Sequence, residues 1–270
     1  MATALSAQSR IFTETITSKL LGVEKHYTVY LPSGYDLSEK KYPVLYLLHG
    51  ASDTHEAWKK QGDARRIIDE LVNEGMLGKL IVIMPDASGE GENHTGKNMG
   101  YFNLPDWPYE DFFFEEFIPT IEKRYRIHAD KRHRAIAGLS MGGGGSAHYA
   151  LTHPELFGSA CLFSGLLDAF PSPRGYQTEF IESVAANSPV KRLRAMSDEE
   201  IKAVRSVRWY VDCGDDDFLW QSNVDFYAVM RERRIPLQYR MRDGAHNWHY
   251  WKVSLRSALL FISTEFNRSK

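Results

Sequence analysis

One short run in this chain is built for nucleophilic chemistry: Gly138-Leu139-Ser140-Met141-Gly142. It fits G-x-S-x-G, the turn that carries an exposed serine between a strand and a helix. Arg134 to Ala137 reads as the incoming strand, and the helix starts near Gly142 and continues through Ala147, Tyr149 and Ala150. So tight a turn leaves no room for side chains at its flanks, hence Gly138 and Gly142. It also lifts the serine hydroxyl out of the sheet, above a helix N-terminus that favours negative charge. Four successive glycines, Gly142 to Gly145, raise a phosphate cradle as the rival reading. That rival fails because no Lys-Ser or Lys-Thr follows them.

A hydroxyl is a weak nucleophile at neutral pH, so Ser140 needs a base. On α/β-hydrolase scaffolds the partners follow in the order serine, acid, histidine. The downstream histidines are His148, His153, His246 and His249. The first two lie on or just after the elbow helix and are expected to pack or face solvent. His246 follows Asp243-Gly244-Ala245 at the carboxyl end of a strand, where sites in open α/β sheets gather. His249 is expected inside the next helix. For the acid, Asp215-Asp216-Asp217 follow the strand end Cys213-Gly214. Three successive carboxylates cannot all be buried against one imidazole, and the residues alone leave the choice among them open. An oxyanion would be met by the Met141 N–H and by an N–H from the loop Leu48-His49-Gly50-Ala51-Ser52-Asp53, with Ala51 favoured by spacing. His49 reads as structural, since it comes too early in the chain order.

The elements needed to position these groups are legible as alternation. Ile11 to Thr17 and Val23 to Leu31 read as an antiparallel strand pair. Val44 to Leu48, Leu80 to Met84, Ala135 to Ala137, Ser159 to Phe163, Trp209 to Cys213 and Leu237 to Met241 read as strands buried on both faces, as in a parallel sheet. Helical periodicity appears over Ala64 to Asn73, Phe112 to Tyr125, Asn223 to Arg233 and Tyr250 to Phe266. The expected fold class is α/β: a mostly parallel, doubly wound sheet with helices on both faces. One catalytic domain over residues 1–270 is expected, with an irregular insert at about 170–205 forming either a surface excursion or a pocket wall.

Bulk properties narrow the partners. The 270 residues carry a formal charge of −2 and 43% hydrophobic residues. There is no large basic field for nucleic acid or an anionic membrane, and no apolar run of about 18 residues. Met1 to Arg10 lacks the charged start and apolar stretch of a signal peptide. Cys161 and Cys213, the only cysteines, form neither a disulfide framework nor a zinc set, and are expected as buried free thiols. No metal or cofactor is called for.

The motifs resemble the esterase D-like superfamily. Val29-Tyr30-Leu31-Pro32-Ser33-Gly34-Tyr35 and Tyr42-Pro43-Val44-Leu45-Tyr46-Leu47-Leu48-His49-Gly50 look like its opening. Gly138 to Gly143, His153-Pro154-Glu155-Leu156-Phe157, Cys213 to Phe218 and Gly244 to Trp251 continue it in order. Within the superfamily the chain looks most like carbohydrate esterase family one, which includes feruloyl and acetyl xylan esterases. The resemblance implies an α/β-hydrolase fold, a triad of Ser140, Asp217 and His246, and Ala51 and Met141 as backbone donors. It is this resemblance that selects Asp217. It implies a small-molecule or oligosaccharide ester substrate, and it favours a secreted or periplasmic enzyme if a signal peptide was removed, a cytoplasmic one otherwise. S-Formylglutathione hydrolases are relatives, although they usually carry His where this chain has Leu139. Siderophore esterases and acyltransferases share the scaffold. A non-catalytic binding protein would be marked by a missing triad member, and none is missing. Tyr101, Trp107, Trp220 and Trp248 are expected beside the triad, where aromatic rings can stack on a phenolic acyl group for about 0.5–1.5 kcal/mol per pair.

Overall fold

The computed structural model describes residues 8–89, 100–169 and 178–267. Its centre is an eight-stranded sheet. In chain order the strands are β1 (Arg10–Thr17), β2 (Glu24–Leu31), β3 (Val44–Leu48), β4 (Ile81–Pro85), then a separate small hairpin of β5 (Asn103–Leu104) and β6 (Trp107–Pro108), then β7 (Arg134–Leu139), β8 (Ser159–Phe163), β9 (Arg208–Gly214) and β10 (Leu237–Arg242). The spatial order is β1-β2-β4-β3-β7-β8-β9-β10. The β1–β2 and β2–β4 pairs are antiparallel, and every later pair in that order is parallel.

The helices are α1 (Ala57–Lys60), α2 (Ala64–Asn73), α3 (Tyr109–Asp111), α4 (Ile118–Arg124), α5 (Met141–Thr152), α6 (Thr178–Ala186), α7 (Pro189–Ala195), α8 (Asp198–Val204), α9 (Trp220–Glu232) and α10 (Trp248–Phe266). Two apolar layers follow from the period-2 alternation of the strands. Val44, Tyr46, Leu48, Ile136, Leu162 and Val211 point to one layer, roofed by residues of α5, α7 and α9. Leu45, Leu47, Ala135, Ala137, Cys161 and Tyr210 point to the other, roofed by α2 and α10. Among the described residues no helix is long and apolar enough to cross a membrane.

Three expectations change. β10 is an edge strand, so Gln238, Arg240 and Met241 are exposed and it is not covered on both faces. The helix expected over Phe112 to Tyr125 opens with a π turn, Phe112–Phe117, before α4. Pro119 lacks the N–H that would bond the Glu115 carbonyl, and the wider turn stands directly ahead of it. The region 170–205 is not irregular where it is described: it forms α6, α7 and α8, with Val190, Leu193, Ile201 and Val204 buried in the core. Ser188 caps α7, and Ser197 with Glu200 forms a capping box on α8. Residues 170–177 of that stretch, and 90–99 of the other variable segment, lie outside the described residues.

Candidate active site

β7 is buried along its whole length and delivers Ser140 at its carboxyl end. Ser140 sits at φ 52°, ψ −117°, a conformation that L-residues avoid. Such strain costs about 1–3 kcal/mol and persists only where surrounding contacts enforce it. Here the Ser140 N–H donates to the Phe163 carbonyl at 2.9 Å, and the Ser140 carbonyl accepts from Gly144 at 3.0 Å and Leu166 at 2.9 Å. The flanking glycines are required by contact. A Cβ on Gly138 would lie 2.4 Å from the Gly142 carbonyl oxygen, and one on Gly142 would lie 2.5 Å from that of His49.

The strand ends β9 and β10 bring the other two side chains to the serine. Their loops are tied together: Asp216 N–H donates to the Gly244 carbonyl at 3.0 Å, and Gly244 N–H donates to Asp215 Oδ1 at 3.0 Å. Asn247 caps α10 by accepting from Tyr250 N–H at 3.0 Å. His246 Nδ1 stands 2.9 and 2.8 Å from the two carboxylate oxygens of Asp217, and His246 Nε2 stands 3.0 Å from Ser140 Oγ. An ionised carboxylate only accepts, so Nδ1 carries the proton and Nε2 is left to accept from the serine hydroxyl. Asp217 is fully buried and also accepts from Leu219 N–H at 2.8 Å. Asp215 and Asp216 are exposed. Of the three aspartates, the structure therefore brings only Asp217 to the imidazole. The indole of Trp251 meets the imidazole edge-on at 4.8 Å and is itself held by donating to Ser164 Oγ at 3.1 Å.

The loop after β3 packs against the elbow. A Cβ on Gly50 would lie 3.5 Å from Ser140 Cβ. Met141 is the first residue of α5, so its N–H has no carbonyl one turn back within that helix. Ala51 is half-buried on the facing loop. His49 is structural, as expected. Its Nε2 accepts from Ala87 N–H at 2.9 Å, and its Nδ1–H donates to the Gly50 carbonyl at 2.8 Å. Below it lies buried Asp86. Burial pushes the Asp86 carboxyl up, but the Lys25 ammonium at 4.0 Å and the Ser88 N–H, which donates to Asp86 Oδ1 at 2.7 Å, hold it below the usual carboxylate range.

The aromatic expectations divide. Tyr101 is fully buried, with its hydroxyl donating to the His49 carbonyl at 3.0 Å. It braces the loop that carries Ala51 and has no face left for a substrate. Trp107 is 3% exposed and packs in the core on its hairpin, so it too presents no face to a substrate. Trp248 is half-buried against Trp58 and Trp251. Trp220 alone of the four is exposed. Phe218, which was not singled out from the sequence, lies over the imidazole with 4.4 Å between ring centroids. The signal available for it was a large apolar residue directly after an acidic run. His148 is buried against Glu110, and His249 lies in α10, both away from the serine as expected.

Similarity to known proteins identifies the family. Residues 18–262 match the Esterase family, described as "Putative esterase". An endo-1,4-beta-xylanase/feruloyl esterase from Xylanibacter ruminicola is 38% identical over 155 residues, which is 56% of this chain and 21% of that protein. This chain thus spans only a small part of that relative's length. An acetyl esterase from Caldicellulosiruptor saccharolyticus is 25% identical over 248 residues, 84% of this chain and 86% of that one. A solved structure of a ferulic acid esterase superposes with a TM-score of 0.90 at 42% identity, over 96% of this chain and 99% of the other. With the family matched over most of its length, the chain belongs to the Esterase family and is a carboxylic ester hydrolase.

Proposed function

We propose that the chain is a feruloyl esterase that uses Ser140, His246 and Asp217 to release hydroxycinnamic acids from plant cell-wall polysaccharide. The observation that carries the catalytic assignment is the continuous line from Asp217 through His246 to Ser140 Oγ, with no separation above 3.0 Å. The acyl preference is supported by likeness to a ferulic acid esterase at 42% identity over nearly the whole chain.

In the first half-reaction Ser140 Oγ attacks the ester carbonyl carbon while His246 Nε2 takes its proton. Asp217 holds the imidazole in the productive tautomer and stabilises the imidazolium. The carbonyl π electrons move onto oxygen, and the backbone N–H groups of Met141 and Ala51 meet that charge. Losing one such donor typically costs about 3–4 kcal/mol of transition-state stabilisation. Collapse expels the alcohol, which takes the proton from His246. Water then attacks the acyl-serine by the same route, giving the acid and restoring Ser140.

The test is a hydrolysis panel of methyl ferulate, methyl p-coumarate and acetylated xylan fragments, run on the native chain and on Ser140→Ala. The native chain is expected to prefer the hydroxycinnamates. The variant should fold and lose turnover by up to about 10⁶-fold, as triad removal does elsewhere. Activity within tenfold of native would remove Ser140 from the mechanism. Acetyl esterase is the second reading, favoured by the acetyl esterase that aligns over 84% of this chain. A clear preference for the acetyl substrates would select it and leave the serine chemistry standing.

A further inference from the structure

The turn that carries the acid also presents an aromatic surface for which acyl transfer at Ser140 has no need. Phe218 is 63% exposed and Trp220 is 45% exposed, while Leu219 between them is 3% exposed and anchored in the core. The turn is fixed from beneath by Leu219 N–H to Asp217 Oδ1 at 2.8 Å and Trp220 N–H to the Asp217 carbonyl at 2.9 Å. Phe218 is therefore held in place by the residue that orients His246. Its ring lies 4.4 Å, centroid to centroid, from the imidazole and tilted by 49°. Leaving a phenyl ring in water forfeits about 25 cal/mol for each Å² of apolar surface not buried. Phe218 incurs that cost beside the reacting atoms.

The chemistry says which part of a substrate reaches this surface. The leaving alcohol must take a proton from His246 Nε2, so its oxygen has to come within about 3 Å of that nitrogen. Whatever the oxygen is attached to starts beside the imidazole, where Phe218 stands. The acyl chain extends instead from the carbonyl carbon on Ser140 Oγ. Sugar rings carry faces of C–H groups that pack flat on aromatic rings, with hydroxyls at the rim. Asp215, Asp216 and Asp243 form an exposed acidic group next to the same turn, with carboxylate oxygens within 4.8 Å of one another. Those oxygens accept from hydroxyls and repel an anionic leaving group.

We propose that Phe218 is the platform for the sugar ring of the leaving alcohol, a neutral carbohydrate. This rests on the serine esterase reading of the site and not on the identity of the acyl group. Phe218→Ala and Phe218→Tyr would be compared with the native chain on two substrate pairs sharing an acyl group: feruloylated arabinose against methyl ferulate, and acetylated xylobiose against ethyl acetate. The native chain should favour the sugar member of whichever pair it hydrolyses. Phe218→Ala should lower the sugar-to-simple-ester ratio of kcat/KM about tenfold, or about 1.4 kcal/mol. That loss should fall mainly on KM, and Phe218→Tyr should restore the ratio. An unchanged ratio in Phe218→Ala overturns the proposal, whether both members of a pair fall together, as when Phe218 only supports His246, or neither falls. If only the acetyl pair is turned over, the feruloyl reading fails while the platform is still decided on that pair.

Discussion

At the scale of single residues, the elbow links a conformational cost to a chemical role. Ser140 is held at φ 52°, where the steric penalty comes from its Cβ and not from its hydroxyl. Ser140→Ala keeps that Cβ and should leave stability close to native. Ser140→Gly removes it, and glycine adopts this conformation freely. Relief of about 1–3 kcal/mol is set against about 1 kcal/mol of added chain entropy in the unfolded state. Ser140→Gly should therefore be the more stable of two inactive variants, by up to about 2 kcal/mol. Urea denaturation of the pair decides this: equal midpoints would mean a strain of only about 1 kcal/mol, just offset by chain entropy, and a lower midpoint for Ser140→Gly would mean that the turn carries no strain at its serine. The acid loop gives a second contrast. Asp217 is fully buried on the imidazole, whereas the Asp216 carboxylate is exposed. Asp217→Asn should lower kcat by several orders of magnitude, as loss of the triad acid does by about 10⁴-fold. Asp216→Asn should stay within a few-fold of native. A crippled Asp216 variant would move the acid by one residue. Composition and spacing alone could not choose among these aspartates, because depth is a property of the folded loop and the three have the same chemistry.

At the scale of elements, strand register determines more than pairing. β8 and β9 run parallel with Cys161 opposite Tyr210, which places Cys213 three residues further along the neighbouring strand. At about 3.3 Å per residue, that offset holds the two Cα atoms well beyond the ~7 Å reach of a disulfide. Both cysteines are buried and unpaired, and burial pushes both thiols up, so neither is a reactive thiolate. Two thiols should titrate per chain after denaturation without reductant, and a count of zero would contradict this register. The elements were the most legible part of the sequence. Strands with unbroken apolar runs and the long amphipathic helices α2 and α10 stand within a few residues of where periodicity puts them. What failed was position within the sheet and depth in the molecule. The residues of β10 have strand character, but nothing local says that it is an edge. Tyr101 and Trp107 follow β4, which predicts them near the site, yet their rings turn inward. Phe218 turns outward although it follows a fully buried Asp217.

At the scale of the whole molecule, the polar groups sealed beneath the site couple its stability to pH. His55 lies 9% exposed in the loop that leads from the Ala51 segment into α1. Its Nδ1 is 2.9 Å from Thr28 Oγ1 on β2. The charged groups facing it come from several elements: Asp86 after β4 and Glu56 beside it favour its protonation, while His26 on β2 and His49 oppose it. Burial outweighs them all and lowers its pKa from 6.5 to about 4. Between pH 6.5 and about 4 the unfolded chain takes up a proton at this histidine that the folded chain refuses. Acid therefore favours unfolding, and stability rises with pH wherever the unfolded state binds more protons. The contribution is complete above pH 6.5 and is lost progressively as the pH falls toward 4. Asp86, held low by its partners, loses its own contribution only in stronger acid, below the ordinary carboxylate range. The two effects thus occupy different windows. Replacing His55 with Gln keeps a hydrogen-bonding side chain for Thr28 and removes the titration. Urea midpoints measured from pH 7.5 to 4 should fall more steeply in the native chain than in His55→Gln, with the curves running parallel above about pH 7. Equal slopes across the window would show that His55 is as free to protonate in the folded chain as in the unfolded one.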